Sequence, residues 1–115
     1  MNSYKKNDIQ IYRPENEITI RNLERFKERM NEFLNQQKSR IILDLEEVNY
    51  LNSSALGLIA DTTMKAKEMN KELVIVEISE ELREIFEIVK FHTFIPFFSS
   101  VNEAINYFDS KDITE

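Results

Sequence analysis

A chain of 115 residues can bury the core of one domain but is too short for two ordinary ones. Its composition, 42% apolar and 31% charged, is typical of a globular protein. The net charge of −6 argues against nucleic acid and anionic membrane surfaces as partners, because binding to either depends on Lys and Arg.

No segment indicates a membrane, secretory or metal-binding role. No apolar run approaches the roughly 18 residues that a membrane span needs, and the first eight residues lack the apolar core of a signal peptide. The sequence has no cysteine, which excludes disulfides and thiolate zinc sites. With one glycine in the whole chain, the glycine-rich phosphate loops of nucleotide-binding proteins are also excluded. We therefore expect a cytoplasmic protein without membrane insertion, metal or cofactor.

The first predicted elements are a strand and a covering helix. Residues 8–12 alternate polar and apolar side chains, which predicts a half-buried strand that Pro14 ends. Residues 18–20 fit either more strand or the entry to a helix. Thr19 or Asn22 is the candidate N-cap of that helix. Its apolar stripe is Leu23, Phe26, Met30, Phe33 and Leu34.

The centre of the chain predicts a buried strand followed by a second helix. Residues 41–45 form a short apolar run, typical of a parallel strand buried on both faces. After a connection at residues 46–51, Asn52, Ser53 and Ser54 each offer an N-cap side chain. The predicted helix buries Leu56, Ile59, Ala60 and Thr63 and ends near Asn70. Small hydroxyl groups thus lie at the carboxyl edge of the sheet, where ligands and partners usually bind α/β proteins.

The remaining third repeats the alternation of strand and helix. Residues 73–78 predict a second buried strand, and Ser79 is the N-cap of a helix with the stripe Leu82, Ile85, Phe86 and Val89. Pro96 limits residues 94–98 to a short or edge strand. Ser100 and Glu103 form a capping box for a last helix with the stripe Val101, Ala104, Ile105 and Phe108. The pattern predicts an α/β fold: a mixed, mostly parallel sheet of about four strands with about four helices.

The residues around Ser53 resemble a known signature. Residues 41–45, then Val48, Tyr50 and Leu51, then Asn-Ser-Ser-Ala-Leu-Gly at 52–57 resemble STAS domains, specifically the bacterial anti-sigma factor antagonists. That family has a hydrophobic strand, an Asp-Ser-Ser-Gly-Leu-Gly turn and a helix. The match puts Ser53 on the family's phosphorylated serine, Asn52 on its aspartate and Ala55 on a glycine. The resemblance runs from about Asp8 to about Phe108. It implies one STAS domain over residues 1–115, with a core of about 8–108 and a flexible tail at 109–115.

The resemblance also implies a function. A protein of this kind binds an anti-sigma factor that is also a serine kinase, phosphorylation of Ser53 ends the complex, and a PP2C-type phosphatase restores it. The residues expected to bind the partner are Tyr50, Leu51, Asn52, Ser53, Ser54 and Ala55. An alternative is a STAS regulatory or scaffold subunit of a transporter or signalling assembly that is not phosphorylated, which Asn52 would tolerate.

The residues alone leave simpler interpretations open. A helix N-terminus favours an anion such as a phosphate of about −2 charge, but Ser53 or Ser54 can also serve merely as the helix cap. Leu56 and Gly57 are interpreted as close packing of the helix on the sheet, and Asp44 and Asp61 as solvated or capping carboxylates rather than an acid–base pair.

A serine hydrolase is a further alternative for Ser53. It is disfavoured because the sequence has no Gly-x-Ser-x-Gly elbow and only one histidine, His92. We predict no catalytic residues.

Overall fold

The protein has four strands and four α-helices. The computed structural model describes the backbone of residues 8–113 and the side chains of residues 8–110. The strands are β1 (Ile9–Tyr12), β2 (Arg40–Asp44), β3 (Glu72–Val76) and β4 (Phe97–Phe98). The helices are α1 (Leu23–Asn35), α2 (Ser53–Glu68), α3 (Glu80–Ile88) and α4 (Val101–Ile113), and a short 3-10 helix (Phe91–Thr93) precedes β4. The predicted α/β class is confirmed.

The four strands form one sheet in the order β1-β2-β3-β4, and every pairing is parallel. Ile42 of β2 lies between Ile11 of β1 and Val74 of β3. The last strand is only two residues long and lies at the sheet edge, as Pro96 predicts. The carbonyl oxygen of Pro96 still accepts a hydrogen bond from the Ile75 amide at 3.1 Å. Because all strands point the same way, their carboxyl ends share one edge.

Two apolar cores lie on opposite faces of the sheet. In β2, Ile41 and Leu43 point to one face and Ile42 points to the other, so both faces are buried. The larger core includes α1, α2 and α3, with Phe26, Met30, Ile59, Leu82 and Phe86. The smaller core packs β2 and β3 against α4, with Val74, Val76, Ala104 and Phe108. Helix α2 therefore lies on the face opposite to α4.

Most predicted helix ends are confirmed by their hydrogen bonds. The Ser79 Oγ accepts from the Leu82 amide at 3.2 Å, and Asn70 follows α2 with a left-handed φ of 61°. Ser100 accepts from the amide of Glu103 at 3.1 Å. The Glu103 carboxylate, however, reaches past Ser100 to the amide of Ser99 at 3.0 Å. The predicted capping box is therefore present with its second bond displaced by one residue.

Other boundaries differ from those predicted. Asn22 occupies the N-cap position of α1, but its side-chain oxygen accepts from the Thr19 amide at 2.9 Å and caps no helical amide. Ile18 makes one isolated parallel bridge to Leu51 and extends neither β1 nor α1. We predicted a polar tail from Asp109, whereas α4 continues to Ile113; residues 114–115 lie outside the described residues.

Candidate functional site

The Ser53 turn, which we define as residues 50–54, is anchored to the carboxyl edge of the sheet by the loop after β1. The Ile18 amide donates to the carbonyl of Tyr50 at 2.9 Å, and the Asn52 amide donates to the carbonyl of Ile18 at 3.0 Å. These two bonds flank Leu51 and hold the chain immediately before α2 in an extended form. The direction in which α2 leaves the sheet is fixed by this bridge.

Asn52 is the residue that caps α2. Its backbone is extended (φ −77°, ψ 173°), and its side-chain oxygen accepts from the Ala55 amide at 2.8 Å. This satisfies one of the unpaired donors at the start of the helix. The interpretation of Ser53 or Ser54 as the helix cap is therefore wrong. Both serines come after the cap, inside the first helical turn.

The two serines present free polar groups to solvent. Ser53 and Ser54 are both exposed, and within the part of the chain that the structure describes neither hydroxyl has a hydrogen-bond partner. The same holds for their backbone amides, which come before the first intrahelical bond, from the Leu56 amide to the Asn52 carbonyl. Two amide donors and two hydroxyls thus lie without a described partner at the exposed start of α2.

The electrostatics of this helix start favour an anion. The first turn of α2 contains no acidic side chain, and Asn52 is neutral. The last turn contains Lys65 and Lys67, which compensate the negative end of the helix dipole. The positive end at Ser53 has no such compensation from its own helix. An anionic group there would interact with the dipole and with unpaired amides.

Four of the six predicted partner-binding residues are accessible. Ser53 and Ser54 are exposed, Asn52 is half-buried and Tyr50 is 47% exposed. Leu51 and Ala55 are not, with exposures of 3% and 0%. Ala55 lies on the inner face of α2, and Leu51 belongs to the larger core. These two side chains support the turn from behind, out of reach of a partner.

The phase of α2 differs from the predicted one. Its buried residues are Ala55, Ile59, Thr62, Thr63 and Ala66. Leu56 is only half-buried, so it lies at the border of the packed face. Gly57 is exposed, and a Cβ added to it would meet no atom within 4 Å. Close packing therefore does not explain this glycine, contrary to the sequence-based interpretation.

Asp44 is a buried anchor for the connection that leads to the turn. It has no exposed surface, and its Oδ2 accepts from Arg13 Nε at 3.0 Å and lies 2.9 Å from Arg13 Nη2. Its Oδ1 accepts from the Glu46 amide at 3.0 Å. The hydrogen bond to Asp44 raises the pKa of Arg13. Asp44 is thus neither solvated nor a helix cap, whereas Asp61 is exposed and pairs with Lys65 at 3.0 Å.

Comparison with known proteins identifies the fold family. The sequence pattern of the STAS domain matches residues 1–104, nearly the whole chain. The chain belongs to the STAS domain family. A candidate anti-sigma factor antagonist of Thermotoga neapolitana, the TM1081 homolog, is 25% identical over 99 residues, which cover 85% of this chain and 88% of that protein.

Solved STAS structures have the same fold. The crystal structure of a candidate anti-sigma factor antagonist of Thermotoga maritima has a TM-score of 0.82 at 24% identity and covers 92% of each chain. The Bacillus anti-sigma factor antagonist SpoIIAA is known in an unphosphorylated form (TM-score 0.75, 93% of each chain) and in a phosphorylated form (TM-score 0.69, 93% and 96%), both at 16% identity. At these identities the likeness establishes the fold.

This STAS domain has an exposed stripe along α2 that the sequence analysis missed. Ser53, Gly57 and Met64 lie within about 40° of one another around the helix axis, at about 100° per residue. All three are exposed, and Met64 is a large apolar side chain with 57% exposure. Counting helical turns outward from Ser53 would have shown that these three residues share one side of α2, but the structure is needed to show that this side is exposed. The stripe continues the Ser53 turn for about three helical turns.

Other chemistry receives no support at this site. Ser53 and His92 share no hydrogen bond in the described residues, and His92 lies in the short 3-10 helix beside Arg83 and Phe97. Among the side chains of residues 8–110, no group of three or more His, Asp or Glu is placed to hold a metal ion. No helix within the described backbone, residues 8–113, is long and apolar enough to cross a bilayer.

Proposed function

We propose that this STAS domain is an anti-sigma factor antagonist that binds an anti-sigma factor serine kinase through the Ser53 turn. In the unmodified state the turn and the α2 stripe form the contact surface. Phosphorylation of Ser53 by the bound kinase ends the complex, and a PP2C-type phosphatase restores it. The names of the similar proteins support an anti-sigma factor as the partner. The kinase, the phosphorylation of Ser53 and the phosphatase are supported only by the family resemblance around residues 52–57.

One observation carries the proposal: the Ser53 side chain makes no hydrogen bond that stabilises the fold within the described residues. Asn52 already caps α2, so the Ser53 hydroxyl is left exposed and unbonded among the described residues. A serine retained only as a helix cap would accept a hydrogen bond from its own helix. A hydroxyl at the edge of the sheet without such a bond is available both to a kinase and to a binding partner.

The position of Ser53 explains how a phosphate can act as a switch without unfolding the protein. A phosphoryl group of about −2 charge would meet unpaired amides and the positive end of the α2 dipole. The fold would therefore accept the modification. The same charge and bulk would lie in the middle of the proposed contact surface, where a partner that fits a neutral serine would be repelled.

The stripe along α2 supports a protein partner rather than a small ligand. Gly57 costs helix stability of about 1 kcal/mol relative to alanine, and no close intramolecular contact requires it. A flat region at Gly57 lets another backbone approach the helix closely. Met64 and Tyr50 add exposed apolar and aromatic surface of the kind enriched at interfaces.

The test is the modification state of the protein in its own cells. Trypsin cleaves after Arg40 and Lys65, so one peptide carries both Ser53 and Ser54. We expect an added phosphate on this peptide, with fragment ions that place it on Ser53. A Ser53→Ala variant should lose the phosphate, and the matched Ser54→Ala variant should keep it.

The opposite result has a defined meaning. If the peptide stays unmodified in every growth condition tried, or if the phosphate lies on Ser54, the proposed switch is wrong. The alternative, a STAS regulatory or scaffold subunit that is not phosphorylated, would then become the better assignment. Neutral Asn52 in place of the family's aspartate is the feature that this alternative would explain.

A further inference from the structure

A basic cavity lies at the carboxyl end of β1, and Ser53 is not among the residues that line it. It has a volume of about 360 Å³, within the range of small-molecule sites. Three arginines line it, Arg13 from the loop after β1 and Arg25 and Arg29 from α1. In a protein with a net charge of −6, such a concentration of positive charge in one concave site is unexpected.

Two of the three guanidinium groups are available to a ligand. Arg13 is bound to Asp44, at 2.9 Å from Nη2. Arg29 lies over the Tyr12 ring at 5.1 Å, and its ion pair with exposed Glu32, at 4.0 Å, is at the limit of contact. Arg25 has no ion pair or hydrogen bond among the described residues. A cation at 4.0 Å from a solvated carboxylate can change partners at little cost.

The cavity also has an unpartnered buried donor. Tyr12 is nine-tenths buried and lines the cavity, but its phenol has no hydrogen-bond partner in the described part of the chain. Burial raises the pKa of Tyr12, and the charges of Arg29 and Arg25 lower it in part, so both guanidinium groups act on the phenol oxygen. At neutral pH the phenol is a protonated donor. A hydroxyl that borders a cavity and has no protein acceptor can donate to a ligand there.

The donors and walls define the chemistry of the ligand. The two guanidinium groups can only donate hydrogen bonds, and the protonated phenol can donate one. A guanidinium group can donate two parallel hydrogen bonds to two oxygens of one phosphate. The lining also contains Glu15, whose negative charge lowers the positive potential of the cavity; the positive potential that remains attracts a dianion about twice as strongly as a monoanion. Phe26 and Pro14 add apolar wall. We infer that this cavity binds a small phosphate monoester, with the phosphate at Arg25, Arg29 and Tyr12 and the ester group toward the apolar part of the lining.

The proposal can be tested on the full chain with phenyl phosphate as the probe. The nitrogen-15 labelled protein is titrated, and we expect saturable shifts of backbone amides that surround the cavity, such as Ile18 and Phe26. Inorganic phosphate should bind more weakly because it lacks the apolar group. Benzoate, a monoanion of similar size, should also bind more weakly. Raising the salt concentration should weaken all three.

Single substitutions distinguish specific binding in the cavity from nonspecific attraction of the anion to positive charge on the protein. Arg25→Gln and Arg29→Gln should each weaken phenyl phosphate binding about tenfold or more, which is the usual effect of losing a charged hydrogen bond. Tyr12→Phe, which removes one hydroxyl, should weaken it several-fold. The control is Arg83→Gln, which makes the same charge change at an exposed residue of α3 outside the cavity and should leave binding unchanged.

Three outcomes would overturn the inference. The parent protein could show no saturable shifts around the cavity, or Arg83→Gln could weaken binding as much as Arg25→Gln does. Inorganic phosphate could also bind as tightly as phenyl phosphate, in which case the ester assignment is wrong. The amide spectrum of each variant verifies that it is folded, and exposed Arg25 makes no contact whose loss would unfold α1.

Discussion

Replacing Ser53 by aspartate should stabilise the protein slightly while preventing partner binding. The carboxylate would lie in the first turn of α2, where no acidic side chain is present and the cap, Asn52, is neutral. A charge in that position contributes about 0.3–1 kcal/mol at low ionic strength. For 115 residues, an unfolding entropy of about 2.1 cal/mol/K per residue makes 1 kcal/mol equal to a Tm change of about 4 °C. The expected rise in Tm is therefore about 1–4 °C.

The assay compares Ser53→Asp with Ser53→Asn by thermal unfolding at pH 7. The two side chains have nearly the same shape, so the difference isolates the charge. It should shrink in 1 M salt, where the Debye length is about 3 Å. If the aspartate variant melts below the asparagine variant at low salt, the reasoning about the helix dipole at Ser53 is refuted.

The expected loss of partner binding in Ser53→Asp is tested against a separate control variant. Ser53→Asp should abolish binding to the kinase, whereas Asn102→Asp should leave it unchanged. Asn102 is exposed in the first turn of α4, on the opposite face of the sheet, and its substitution adds the same single charge. A Ser53→Asp protein that is folded and binds as tightly as the parent would disprove the switch.

Three further substitutions test the helix surface and the buried phenol. Gly57→Ala should raise stability by about 0.5–1 kcal/mol in thermal unfolding, because the added Cβ meets no atom within 4 Å; a loss would contradict the open geometry. Met64→Lys should weaken kinase binding at least about fivefold in titrations, whereas Met69→Lys, at the far end of α2, should not; equal effects would exclude the stripe. Burial raises the folded-state pKa of Tyr12 above its unfolded value of about 10, so its contribution to stability is present below pH 10 and is lost as the pH rises through the folded-state pKa. In urea unfolding from pH 8 to 11, Tyr12→Phe should therefore gain stability relative to the parent above pH 10. If the free energies of unfolding of the two proteins change equally with pH, the expectation is wrong.

Local patterns were sufficient to predict the fold. The apolar runs in β2 and β3 have no alternation because both faces of these strands are buried, and that pattern is typical of a covered parallel sheet. Pro96 correctly limited β4 to the edge. Strand ends were less predictable, since they depend on pairing with distant residues. The Leu45 amide, for example, bonds to the carbonyl of Val76 although β2 ends before it.

The details of the site depended on contacts that a local pattern does not contain. Asn52, Ser53 and Ser54 have similar N-cap preferences, and the bridge to Ile18 decides which of them has the extended backbone that a cap requires. Once the cap is at Asn52, the phase of α2 is fixed and Ala55 turns inward. The sequence pattern could not have supplied this phase, because a shift of one residue rotates the helix by about 100°.

Long-range electrostatic contacts were likewise invisible in the sequence. Asp44 and Arg13 are 31 residues apart, and no spacing rule connects an aspartate at the end of one strand to an arginine after another. The basic cavity has the same origin. Arg25 and Arg29 are neighbours on α1, but only the folded chain brings them to Tyr12.

The neutral residue at position 52 is consistent with the proposed switch. Asparagine and aspartate cap a helix about equally well, so replacing the family's acid by Asn52 retains the bond to the Ala55 amide. It also removes a carboxylate that would lie next to a phosphate on Ser53. Like charges at such a distance repel and raise the cost of the modified state. The positive end of α2 is then left for the phosphate alone, so Asn52 should make phosphorylated Ser53 more stable in the fold, whatever its effect on recognition by the kinase.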